Sequence, residues 1–272
     1  MQVASRDALA QVRTQLDDVA AQAGVAKLTT LANNLLAVGR LLGREPILRR
    51  SLSDPAAPEG VRRELLDTVV GRQVGKAARD LLHDLVTSRW SSPADLVDAC
   101  ELLAVQALLA AAEADDALPD VEDQLFRFLR ICAGDRELQA ALGDLTANID
   151  RREKLVSDLL KGNAHPITLA LIKVAVGGLS GRRFEASVER LVELAAQRRD
   201  HAAAYVTVAT ALTDEQESEL TASLARSYGR KMSLLFVIDP SILGGITVRV
   251  GDELYDGSVA RRLAHVRAAL AS

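Results

Sequence analysis

The chain has 272 residues, 49% of them apolar and 26% charged, with a net charge of −4. That length allows one large domain or two to three small ones, and the composition is that of a folded chain and excludes a disordered one. The slight acidic excess argues against a dedicated nucleic-acid binder, which needs a basic surplus, and no run of about 18 apolar residues offers a transmembrane segment.

The first residues, MQVASRDALAQV, lack the charged, apolar and small-residue order of a secretion signal. From Ser5 to about Ala203 apolar residues recur at steps of three and four, as in Leu28, Leu31, Leu35, Leu36 and Val38. Aromatics are only 3%, and the apolar residues are mainly Ala, Leu and Val, which suits helices packed closely. Glycine and proline punctuate the pattern at Gly24, Pro46, Pro55, Gly71, Pro93, Pro119, Gly134, Gly162 and Gly177-Gly178. The spacing predicts helices of about ten to twenty residues.

Two segments match at an offset of roughly 90. GREPILRRSLSDPAAPEGVRRELLDTVVG, from Gly43, aligns with GDRELQAALGDLTANIDRREKLVSDLLKG, from Gly134. Leu52 meets Leu142, Asp54 meets Asp144, Ala57 meets Ala147, Arg62 meets Arg152 and Leu65 meets Leu155. The order of helices and breaks is kept as well, which points to a duplicated helical-bundle unit.

After Ala203 the period changes to two. AYVTVAT alternates as a strand. Thr213 and Gln216 form a capping box for the next helix, with Leu220, Leu224 and Tyr228 as its apolar stripe and Gly229 at its end. KMSLLFVID reads as a strand apolar on both faces, hence central, and ITVRV reads as a third strand with Ile246, Val248 and Val250 inward. A last helix begins near Ser258. The expected fold is mainly α with a small α+β domain: two tandem helical bundles, then a three- to four-stranded sheet with two helices. The boundaries expected are 1–91 for the first unit, 92–203 for a six-helix bundle sharing its first helix with that unit, and 204–272 for the α+β domain.

The glycines of DPSILGGITVRVGDELYDGSVARRL raise the question of phosphate binding. A phosphate loop follows a strand and opens into a helix, whereas Gly244-Gly245 leads into a strand and no Gly-Lys-Ser/Thr follows. Gly251-Asp252 reads as a hairpin turn, and Ser258 reads as the cap of the last helix. Spacing alone therefore assigns these glycines to chain turns.

The same residues, Asp239, Pro240, Leu243, Gly244, Gly245, Val250, Gly251, Asp252, Asp256, Gly257, Ser258 and Leu263, resemble the C-terminal signature of the δ subunits of F-type ATP synthases. In mitochondria that family is called the oligomycin-sensitivity-conferring protein. Val121–Thr210 is similar to the family's six-helix domain, with Pro93–Asp116 as its first helix. The doubled segment ahead of it looks like the long actinobacterial type.

The resemblance implies a stator part without an active site or cofactor. It implies that the helical domain binds N-terminal helices of the α subunits, and that the C-terminal domain binds the end of the membrane-anchored b subunit. Such a subunit works at the cytoplasmic face of the plasma membrane, peripherally, within the complex. The groove implied for the α helix lies between the first and fifth helices. Leu102, Val105 and Leu109 stand on one wall and Ile167, Leu171 and Val174 on the other. Such a bundle can take an added amphipathic helix in a groove.

Other features point to no chemistry. His83, His165, His201 and His265 have no metal-ligand spacing, and no nucleophile–histidine signature occurs. Cys100 and Cys132 read as buried thiols. The scattered arginine pairs, such as Arg62-Arg63 and Arg151-Arg152, read as solvated helix faces. The competing reading is an independent helical-repeat scaffold serving some other complex. It is separated by whether the chain binds an α N-terminal peptide.

Overall fold

The computed structural model describes residues 2–71, 73–144, 146–198, 202–228, 232–240, 242, 244–250 and 253–257. Packing of the backbone divides the chain into two compact units, Met1–Leu191 and Val192–Ser272.

The first unit is helical. Its elements are α1 (Val3–Ala20), α2 (Val25–Arg44), α3 (Pro46–Ser53), α4 (Glu59–Val70), α5 (Lys76–Thr87), α6 (Pro93–Ala114), α7 (Leu118–Gly134), α8 (Arg136–Gly143), α9 (Ile149–Leu160) and α10 (Pro166–Gly177). A short turn, Leu179–Gly181, leads to α11 (Phe184–Arg198), whose start lies in this unit. The ends follow local chemistry. Ser92 accepts the Asp95 N–H before Pro93, and Asp135 accepts from Glu137 and Leu138 at the start of α8. Gly178 closes α10 in the left-handed conformation, φ 85°. An added Cβ there would meet the Arg182 carbonyl at 2.9 Å.

The repetition is visible in the elements themselves. α3, α4 and α5 span 46–53, 59–70 and 76–87; α8, α9 and α10 span 136–143, 149–160 and 166–177. Each is the earlier helix shifted by 90 residues at equal length. The Asp54 carboxylate accepts the Ala56 N–H at 2.9 Å, and the Asp144 carboxylate accepts the Thr146 N–H at 2.9 Å.

Helix α6 is the spine of this unit. It packs against α1, α2, α3, α5, α7 and α10, and every residue from Leu103 to Ala112 is buried. Small residues let its neighbours close in. At Gly39 of α2 an added Cβ would stand 3.3 Å from the Cys100 Cβ. Burying such an apolar stem stabilises by roughly 25 cal/mol per Å².

The solvated reading of the arginine pairs holds for Arg63 and Arg151, which are exposed, and fails for their neighbours. Arg62 and Arg152 are 4% and 6% exposed. Arg62 donates to the carbonyls of Val86, Thr87 and Ser88, and Arg152 donates to the Leu142 carbonyl at 2.9 Å. Each guanidinium satisfies carbonyls that a helix end leaves open. Sequence spacing cannot distinguish that task from solvation.

In the second unit, β1 (Ala202–Val208), α12 (Asp214–Tyr228), β2 (Met232–Ile238), β3 (Ile246–Val250) and β4 (Glu253–Asp256) follow in order. The sheet order is β2-β1-β3-β4. β1 pairs parallel with β2 and antiparallel with β3, and β3 pairs antiparallel with β4. Ala204, Val206, Val208 and Val248 form the core, with Leu212, Leu220, Leu224, Leu234 and Phe236 packed on it. The capping box is formed: the Thr213 N–H donates to Gln216 Oε1 at 3.0 Å, and the Gln216 N–H donates to Thr213 Oγ1 at 3.3 Å.

One strand position is corrected. β2 lies at an edge of the described sheet, and β1 is interior. β2 reads as apolar on both sides because side chains on both its faces are at least partly buried along most of its length, with Ile238 at its end exposed. Leu234 and Phe236 meet the core, while Leu235, on the other face, is 8% exposed. Covered faces and paired edges are separate conditions.

Candidate functional site

The described glycines of the stretch, Gly244, Gly245 and Gly257, stand outside its strands, at their ends. Gly244 and Gly245 have φ of 120° and 85°, values that disfavour any side chain. They lead into β3. The Asp239 N–H donates to the Val208 carbonyl at 2.8 Å, fixing the exit of β2 beside β1. Pro240 follows in a turn. The Gly257 N–H donates to the Ile246 carbonyl at 2.9 Å, after Asp256 has paired with Thr247. A Cβ on Gly257 would sit 3.0 Å from that carbonyl. Leu243, Gly251, Asp252, Ser258, Leu263 and the helix expected from Ser258 lie outside the described residues, as does Gly229.

The six groove residues stand where α6 and α10 pack. Five of them, Val105, Leu109, Ile167, Leu171 and Val174, are buried within the chain, and Leu102 is half-buried. On α10 the half-buried residues are Leu169, Ala170 and Lys173. The helical pattern gives these three no separate signal, because α10 is apolar around most of its circumference. Leu102 and Ala170 therefore flank the seam and the buried five are its floor, while Leu169 lies on the opposite side of α10.

One end of the seam opens as a cleft of about 270 Å³. Glu101, Glu153, Lys173 and Val174 line it, and Arg40 and Arg44 of α2 close it from the side. Arg40 donates to Glu153 at 3.2 Å. The Glu101 carboxylate accepts the Ser180 N–H at 2.7 Å, where Ser180 holds a left-handed φ of 52°. Burial pushes the Glu101 carboxyl above its ordinary range. The Ser180 hydrogen bond opposes that push, Asp98 adds to it and Arg40 opposes it. Asp98 is raised too, by burial and then by Asp95, with Arg182 pulling the other way.

Among the described residues no three histidines, cysteines or carboxylates stand together as a metal site. Nor is any helix long and apolar enough to cross a membrane. His165 and His83 each face one carboxylate, Asp115 at 3.2 Å and Asp67 at 2.9 Å.

Residues 105–270 match the family described as "ATP synthase delta (OSCP) subunit". A Salinispora arenicola protein named ATP synthase subunit delta is 47% identical over 267 residues, covering 98% of this chain and 97% of that one. A protein of the same name from Streptomyces griseus is 46% identical over 263 residues, covering 97% of each chain. A third, from Acidothermus cellulolyticus, is 42% identical and covers 100% of both chains. A chain in the cryo-EM structure of the Toxoplasma gondii mitochondrial ATP synthase hexamer is 17% identical, covers 62% of this chain and 95% of its own, and aligns with a TM-score of 0.38, too low to carry an argument.

Proposed function

The chain belongs to the ATP synthase delta (OSCP) subunit family, and from that premise we propose how it acts: as a non-catalytic stator subunit in the peripheral stalk of an F-type ATP synthase. The observation that carries this is similarity at 47% identity along 98% of the chain. It is a structural stalk subunit and not a catalytic one. It keeps the head from turning with the rotor, so that proton flow stays coupled to ATP synthesis.

The finer reading concerns contacts and place. The helical part, with first and second bundles at 1–91 and 92–203, holds N-terminal helices of the α subunits. The α+β part at 204–272 meets the C-terminal helix of the b subunit. The chain works peripherally at the cytoplasmic face of the plasma membrane. What supports an α-helix contact is the seam between α6 and α10. A partner helix lies on the rim, touching Leu102 and Ala170, over the floor of Val105, Leu109, Ile167, Leu171 and Val174. A groove with an apolar floor and partly exposed apolar walls suits an amphipathic helix.

Calorimetric titration of the full chain with the N-terminal helix of its own organism's α subunit tests this contact. Leu171 is fully buried, so a charge there would disturb the fold, and the test belongs at the rim. Leu102→Asp and Ala170→Asp each weaken binding by about tenfold, which corresponds to about 1.4 kcal/mol. Binding indifferent to both changes moves the site elsewhere. Failure to bind at micromolar concentration overturns the α contact.

A further inference from the structure

We propose that His165 makes the start of α10 a pH-sensitive joint, held while the ring is neutral and loosened when it takes up a second proton. The proposal stands on the geometry of the first unit, and only its consequence for a partner at the α6–α10 seam rests on the stator reading.

His165 is the N-cap residue of α10, and both its ring nitrogens are engaged. Nδ1 accepts the Ile167 N–H at 3.3 Å, and Nε2 faces the Asp115 carboxylate at 3.2 Å. A backbone N–H can only donate, so Nδ1 carries no proton and the proton of the neutral ring belongs on Nε2, donated to Asp115. Asp115 follows α6 in a fixed turn. There the Ala117 N–H donates to the Ala112 carbonyl at 2.8 Å, and Asp116 has a left-handed φ of 52°. From α7, Gln124 Oε1 accepts the His165 N–H at 2.8 Å and the hydroxyl of the buried Thr168 at 2.7 Å. One residue thus ties the start of α10 to the end of α6 through its ring and to α7 through its backbone.

A second proton has to go on Nδ1, which then accepts nothing. The Ile167 N–H loses its acceptor, and a cation stands at the positive end of a helix. The gain is attraction to Asp115. The two side chains are 22% and 48% exposed, where water screens such a pair. Loss of the cap therefore outweighs it. The other charged residues on the elements meeting there are Glu113 and Asp116 beside Asp115, Asp120 and Arg127 one turn to either side of Gln124, and Lys161 after α9. Arg127 is paired with Asp123, and Asp115 is the charged group that hydrogen-bonds the ring. Ile167 opens the floor of the seam, so loosening this joint reaches that wall. The earlier copy of the repeat lacks the device. Gly75, 90 residues before His165, opens α5 with no side-chain cap.

The test is hydrogen exchange of the full chain at about pH 7.5 and about pH 5.5, the range in which imidazoles change charge. It is read as protection of the Ile167 and Leu169 amides after correction for intrinsic rates. Protection is expected to fall roughly fivefold at the lower pH, with the start of α5 unchanged. His165→Asn supplies a cap that does not titrate, as Asn148 does for α9 by accepting the Asp150 N–H at 2.7 Å. That variant keeps its protection at both pH values, and His165→Ala loses it at both. Equal protection of the unchanged chain at the two pH values overturns the proposal. A pH response that persists in His165→Asn also overturns it, because a carboxylate would then be the titrating group. So does a His165→Ala chain protected as well as the unchanged one, since the ring would then cap nothing. Titration with the α-subunit peptide reads the seam separately, so failure of either experiment leaves the other result standing.

Discussion

At the scale of single residues, several buried or half-buried polar side chains of the first unit are tied to backbone. Glu101 is the sharpest case. Its carboxylate gives the Ser180 N–H an acceptor inside a turn with a left-handed residue. Burial nevertheless raises its pKa from the ordinary 4.5. The folded state thus binds the proton more tightly than the unfolded state, so stability falls as pH rises through the window that starts near 4.5 and ends at the raised value. Above that window the full cost of a buried charge is present. Glu101→Gln keeps an acceptor for Ser180 and removes the charge. Its urea midpoint is expected above that of the unchanged protein at pH 7, with the gap closing below the ordinary 4.5. A midpoint lowered at pH 7 would show that the ionised carboxylate, with Arg40 beside it, is worth more than its burial costs.

At the scale of elements, local signals set the ends and long-range packing sets the surroundings. α12 shows the first. Its capping box satisfies donors that a bare helix start leaves open. Leu220 and Leu224 then lay it on the sheet core. Thr213→Ala is expected to cost about 1 kcal/mol. Hydrogen exchange of the first-turn amides should speed up by roughly fivefold. Exchange unchanged in that turn would mean that packing alone holds the helix start. α6 shows the second. Its start is written locally by Ser92 and Pro93, while its burial on every side is the work of six other helices.

At the scale of the molecule, one long helix shared by neighbours on all sides should make the first unit unfold as a whole. The two free cysteines report on this. Cys100 lies in α6 and Cys132 in α7, both fully buried. Burial pushes each thiol up to about 12 from an ordinary 9.0. Native thiols therefore stay protonated and unreactive near neutral pH. The same shift lowers stability as pH rises between about 9 and about 12. A thiol reagent in increasing urea should modify Cys100 and Cys132 in one transition, coincident with loss of helical signal. Modification of Cys132 well before Cys100 would show that α7 detaches while α6 stays packed.

The sequence alone determined the features that depend on a residue and its near neighbours. Gly24, Pro46, Gly71, Pro93 and Gly178 mark helix ends because φ, a missing N–H or a cap decides them locally. The offset of 90 between matched leucines and arginines announced the repeated helices, and the Asp-Pro and Gly-Gly order announced the family. The tertiary structure decided what lies on the far side of each pattern. Periodicity states that Val105, Leu109, Ile167, Leu171 and Val174 face something apolar. It does not state whether that is the chain itself, and here it is. It marks β2 as apolar on both faces without saying which edge is paired. It gives Arg62 and Arg152 the same spacing as their exposed neighbours, yet only they reach helix-end carbonyls. The physical reason is common to all three. A side chain's direction is fixed by its own backbone, but its burial depends on distant elements, brought there by packing that no local spacing records.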